Sequence, residues 1–100
     1  MNVYVILSGY SEDYSEYGSL ETDHFEGIAI MEDSAKLMAS GFAERLRQDR
    51  PSAEYEYKNV PEGDPIIPEN AVYLVGDHES SWYYYKKYEI TDPKPVIKEE

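Results

Sequence analysis

An α+β domain, with an antiparallel or mixed sheet of about five strands and one amphipathic helix on one face, is predicted by three features of the chain. Val3-Tyr4-Val5-Ile6-Leu7 and Ala71-Val72-Tyr73-Leu74-Val75 are continuous apolar runs, the pattern of strands covered on both faces. Ala35, Met38, Ala39, Phe42 and Leu46 follow the i, i+3, i+4, i+7 spacing of a one-sided helix. Glu54 to Lys58 and Ser81 to Thr91 alternate in period two, as half-buried strands do. The element order is β-β-α-β-β-β.

The first strand runs from Asn2 to Ser8. Gly9 to Ser19, rich in Tyr, Ser, Glu and Gly, has neither period and reads as an exposed loop or short hairpin arm. Phe25, Ile28 and Ile30 mark a second strand over His24 to Met31, antiparallel to the first, with Gly27 at a bulge. Glu32-Asp33-Ser34 supply helix caps. Arg45, Arg47 and Arg50 crowd the helix end, where positive charge suits the dipole, and Pro51 stops it.

The third strand, Ala53 to Val60, places Tyr55 and Tyr57 on one side and Glu54, Glu56 and Lys58 on the other. Pro61 to Asn70 is a proline-punctuated loop whose Ile66-Ile67 pair tucks under the sheet edge. Ala71 to Val75 is the fourth strand. Ser81 to Thr91 is the fifth, with Trp82, Tyr84, Lys86, Tyr88 and Ile90 on one face and Tyr83, Tyr85, Lys87 and Glu89 on the other. Asp92-Pro93-Lys94-Pro95 cannot continue a ladder, so residues 1–91 are expected to form one domain and 92–100 a loose tail. A single helix leaves some tyrosine-rich sheet surface uncovered.

With 100 residues, 41% of them hydrophobic, the chain has the length and composition of one packed domain. It has no cysteine, which excludes disulfides, thiolate metal sites and a cysteine nucleophile. Its opening residues lack a basic stretch and a long apolar run, so a cytoplasmic location is expected, the host cytoplasm if the protein is phage-encoded. Twenty-one acids face 9 bases, a net charge of -12. Residues 1–35 hold eight acids and no Lys or Arg. That field repels nucleic acid and anionic membranes and attracts a basic partner.

Catalytic motifs are missing. There is no G-x-S-x-G, no Gly-rich phosphate loop and no calcium-loop spacing, so neither enzymatic activity, a cofactor nor a metal is expected. His24 and His78 stand beside acids, but neighbours on a strand face opposite ways and make no preformed dyad.

What stands out is 11 tyrosines set among a carboxylate excess. Tyrosine gives contact area at low entropic cost, and carboxylates select Lys and Arg. Carboxylates at i and i+2 on a strand lie about 6.5 to 7 Å apart, near the step between phosphates of one nucleic-acid strand. The candidate partner-binding residues are Tyr10, Glu12, Asp13, Tyr14, Glu16, Tyr17, Glu21 and Asp23, with Glu54 and Glu56 as a second row.

In length, charge, basic-free first third and acidic Tyr/Ser loop, the chain resembles the small acidic, cysteine-free inhibitors of phages and mobile elements, including anti-CRISPR proteins and DNA mimics. The resemblance implies an inhibitor that covers a basic nucleic-acid-binding surface of a host defence protein. Val3-Tyr4-Val5, Ser8-Gly9-Tyr10 and Gly27-Ile28-Ala29-Ile30 also look like those of small β-β-α domains of bacteria and phages, a likeness that transfers no functional residue. Two other readings stand beside the inhibitor. One is an adaptor or subunit using a sheet face around Trp82, Tyr84 and Tyr88; the other is a small enzyme or metal binder using His24 or His78. The sequence leaves monomer and dimer both open.

Overall fold

The computed structural model describes residues 1–12 and 20–91. Five strands form one sheet: β1 (Asn2–Glu12), β2 (Leu20–Ala29), β3 (Glu56–Lys58), β4 (Val72–Val75) and β5 (Glu79–Glu89). Helix α1 (Glu32–Asp49) and the 3₁₀ turn Pro51–Ala53 stand between β2 and β3. The spatial order is β2-β1-β5-β4-β3, every pair antiparallel. The α+β architecture and the β-β-α-β-β-β order are those the hydrophobic periods predict.

Helix α1 packs through Ala35, Ala39 and Ala43, all buried, which brings its backbone close to the sheet. Met38, Phe42 and Leu46 flank this stripe, and Phe42 stacks on Tyr83 with ring centroids 6.2 Å apart. Ile6, Ala29, Val72 and Leu74 complete the core on the helix side. The expected side-chain cap is absent: Met31 is the N-cap, and Glu32 and Asp33 lie in the first helical turn, where they suit the dipole.

The opposite face has its own core of Leu7, Trp82, Tyr84 and Ile67, with Val5, Val60, Ala71 and Tyr73 against it. Ile67 therefore does not tuck under the edge but sits over the central strands β1 and β5. Gly9 is required here. Directly opposite Trp82 in the register, it lies under the indole, and a Cβ at this position would overlap the ring. The alternation expected for the last strand holds, with Trp82 and Tyr84 in this core and Tyr83 and Tyr85 in the other.

Several boundaries move. Gly9 to Glu12 are strand rather than loop because β5 pairs with them down to Glu12↔Glu79. The second strand begins earlier, at Leu20, and is bulged twice. Ile6 pairs with Gly27 and Leu7 with Phe25, leaving Glu26 as the extra residue; a second irregularity falls at Thr22–Asp23, where Asp23 has φ 56°. The third strand shrinks to three residues, since Ala53 ends the 3₁₀ turn and Glu54 is left-handed at φ 53°. Residues 92–100, the expected tail, lie outside the described residues.

Candidate functional site

Tyrosine hydroxyls and a cation meet a carboxylate at Glu79 and at Asp23, as they also do at the partly exposed Glu44 of α1, which holds Tyr57 and Arg47. On the helix side, the β1–β5 register and the end of α1 converge on Glu79, whose side chain is 6% exposed. Tyr55 donates to its Oε1 at 2.5 Å and Tyr10 to its Oε2 at 3.0 Å, while Arg50 Nη1 stands 3.1 Å from Oε1. Tyr10 also reaches Glu12 at 2.7 Å. Burial, then hydrogen bonding to carboxylates, pushes the phenols of Tyr10 and Tyr55 above their ordinary range.

Across the sheet, Tyr84 donates its hydroxyl to Asp23 Oδ1, and Lys86 Nζ lies 3.4 Å from the same oxygen. The Tyr84 bond, with help from Lys86, holds the Asp23 carboxyl below its usual range. Asp23 is exposed and left-handed at the bulge, a conformation that Asp tolerates better than most residues. Beside it lies a cleft of about 310 Å³ walled by Thr22, Pro65, Ile66 and Pro68. Ile66 also walls a second cleft of about 200 Å³, with Ser11, Leu20, Asp64 and Trp82.

The structure separates the residues singled out from sequence. Tyr10 and Glu12 are bound up in the Glu79 network, and Glu12 is only partly exposed. Asp13, Tyr14, Glu16 and Tyr17 lie outside the described residues. Glu21 is exposed on the edge strand β2, and Asp23 is held by Tyr84 and Lys86. Glu54 and Glu56 are exposed at the other edge, four strand spacings away, about 19 Å. They form a separate site from Glu21 and Asp23, and Glu56 pairs with Lys58 at 3.2 Å.

The sheet face expected to be open around Trp82 and Tyr84 is covered there: both are buried beneath the 59–71 segment, through Val60 and Ile67. Tyr88 is exposed, and Phe25 and Ile28 with it. His24 approaches Glu26 at 4.0 Å and not the adjacent Asp23. His78, left-handed at φ 65°, approaches Asp77 at 3.4 Å because both stand in the β4–β5 turn, where the alternation of a strand does not apply. Among the described residues, no group of three or more His, Asp or Glu is placed to hold a metal ion.

Sequence reasoning missed Glu79 and Arg50 as partners of Tyr10. An isolated Glu at a strand start gives no local sign of burial, and only the pairing Glu12↔Glu79 brings it to Tyr10. Among the described residues, no helix is long and apolar enough to cross a membrane. Compared with known proteins, the chain matches no family model, no curated protein and no solved structure.

Proposed function

We propose that this chain is a non-enzymatic acidic binding protein that occupies a basic, nucleic-acid-binding surface of another protein, in the manner of an inhibitor of host defence. One observation carries the reading. The edge strand β2 and the start of α1, residues 20–33, hold Glu21, Asp23, Glu26, Glu32 and Asp33 with no Lys or Arg among them. The described ion pairs of these acids are with His24, Lys36 and Lys86, all more than a third exposed, so a guanidinium-rich surface can displace them. An edge strand bulged twice resists pairing with another sheet, which favours contact through side chains.

The test is capture of a partner from host lysate across a salt series, with DNA or RNA oligonucleotide as competitor. Capture that weakens with salt, yields to the oligonucleotide and falls at least about tenfold in the Glu21→Lys/Asp33→Lys variant supports the reading. Both positions are exposed, so the variant keeps its fold. Capture indifferent to salt, to oligonucleotide and to the double reversal sinks it.

A further inference from the structure

The two clefts share Ile66 as a wall and lie side by side along β2 and the 59–71 segment, so an extended chain crossing Ile66 would touch both, as two ends of one groove. Leu20 walls the cleft of about 200 Å³, the first end of this groove, and Thr22 walls the cleft of about 310 Å³, the second end; the two residues stand two apart on one strand, a step of about 6.6 Å. Alternate side chains of an extended peptide are spaced by the same step. The two ends differ in chemistry. At the first, Trp82, Leu20 and Ile67 are apolar walls. At the second, Asp23 is exposed beside the Tyr84 hydroxyl.

Charge adds to this. Asp64 stands at the cleft of about 200 Å³ and Asp23 at that of about 310 Å³, and the one cation among the groove residues, Lys86, is already paired with Asp23. A further feature is independent of shape and charge. Trp82 Nε1 is the one buried side-chain polar atom without a hydrogen-bond partner among the described residues. An orphaned buried donor is costly, and Trp82 lines the cleft of about 200 Å³, so a peptide carbonyl seated there is an acceptor of the kind its indole lacks.

We propose that this groove takes an extended peptide segment of the partner in which an apolar side chain and an Arg or Lys stand two residues apart, the apolar one in the cleft that Leu20 and Trp82 wall and the cation at Asp23. The proposal rests on the reading of the chain as a binder of a basic protein and names the segment it grips. A second copy of the chain is a poor occupant, because its own net charge of -12 opposes the approach.

Anisotropy of a labelled Ser-Leu-Thr-Arg-Thr peptide, titrated with the full chain, tests it against the same peptide with Glu in place of Arg. Saturable binding of the Arg peptide is expected, with the Glu peptide at least about tenfold weaker. Asp23→Asn reduces affinity roughly tenfold, and Trp82→Phe, which keeps a ring but removes the N–H, roughly fivefold. Circular dichroism checks that each variant remains folded, and Ile66→Ser offers a second route to weaker binding should Trp82→Phe unfold. Equal affinity for the two peptides, undiminished affinity in Asp23→Asn, or a signal that follows self-association of the chain overturns the proposal. The single reversal Asp33→Lys, on α1 rather than on the groove strand β2, weakens the salt-sensitive capture but retains peptide affinity to within about twofold at physiological salt. Peptide binding without salt-sensitive capture therefore removes only the inhibitor reading, and capture without peptide binding removes only the groove.

Discussion

Glu79 gathers two phenols and one cation, Asp23 one phenol and one cation, and the two carboxylates sit on opposite faces of the sheet, one buried and one exposed. Glu79 is 6% exposed and receives Tyr10, Tyr55 and Arg50; Asp23 is 55% exposed and receives Tyr84 and Lys86. The same chemistry does different work in the two places. Glu79 itself is shielded from water, so removing the acceptor strands the buried Tyr55 hydroxyl and takes the counter-charge from Arg50. Around Asp23 water stands ready to replace each bond, so the cluster can exchange its partners for those of a ligand. An acid-rich chain thus uses one carboxylate as structure and keeps the other accessible at the edge.

The largest effect that sharpens this contrast is Glu79→Gln. The amide keeps the shape, but one carbonyl oxygen must serve two phenols, and Arg50 loses its counter-charge. A loss of about 2–3 kcal/mol is expected, discounted from a fully buried pair because Arg50 is half exposed, and this lowers the melting temperature by roughly 10 °C or more. Thermal unfolding by circular dichroism measures it. A loss no larger than that of Asp23→Asn erases the distinction between the clusters.

The contrast also shows which parts of the molecule could be read in one dimension. The stripe of Ala35, Met38, Ala39 and Phe42 and the alternation of Trp82 to Tyr85 depend on local period, and both elements stand where that period puts them. Gly9 misled because its need for a missing Cβ comes from Trp82 on another strand, so a strand residue resembled the start of a loop. Glu54 misled in the opposite direction: the charged–aromatic alternation around it looks like strand, while the 3₁₀ turn before it forces a left-handed residue. Of the site, Tyr10, Glu12 and Asp23 stand out in the sequence as candidate partner-binding side chains, without a sign of the internal bonds that hold them. Their partners Glu79, Arg50 and Tyr84 lie far along the chain, and strand register together with the packing of the end of α1 brings them there.

Alkaline titration reaches both clusters at once, with an intermediate effect. Burial, and then the neighbouring carboxylates, raise the phenols of Tyr10, Tyr55 and Tyr84. Tyr83, half-buried beside Phe42, is pushed up to about 12 by burial first and the Glu26 charge second. A phenol that titrates higher in the folded chain than its ordinary 10.0 holds its proton more tightly when folded. Its contribution is complete below pH 10 and is lost as the pH climbs towards about 12, so the melting temperature falls progressively across that window. Phenolate absorbance followed with pH should rise late and together with unfolding. Glu79→Gln should shallow this decline more than Asp23→Asn does, since it relieves two phenols rather than one.

The smallest effect is that of Asp23→Asn itself. Asn accepts the left-handed backbone as readily as Asp, so the substitution leaves the bulge unstrained and removes only charge. An exposed pair of this kind contributes about 0.5 kcal/mol, and below 1 kcal/mol in any case. Because the Tyr84 hydroxyl, and with it Lys86, depresses the Asp23 pKa below its ordinary 3.8, that contribution is present above this value and disappears as the pH falls through the folded one. Wild type and Asp23→Asn should therefore differ slightly at neutral pH and converge in acid, whereas wild type and Glu79→Gln should differ strongly at neutral pH. If Asp23→Asn instead destabilises the chain as much as Glu79→Gln, the bulged edge is a structural brace, and Asp23 is not free to exchange Tyr84 and Lys86 for a partner's cation.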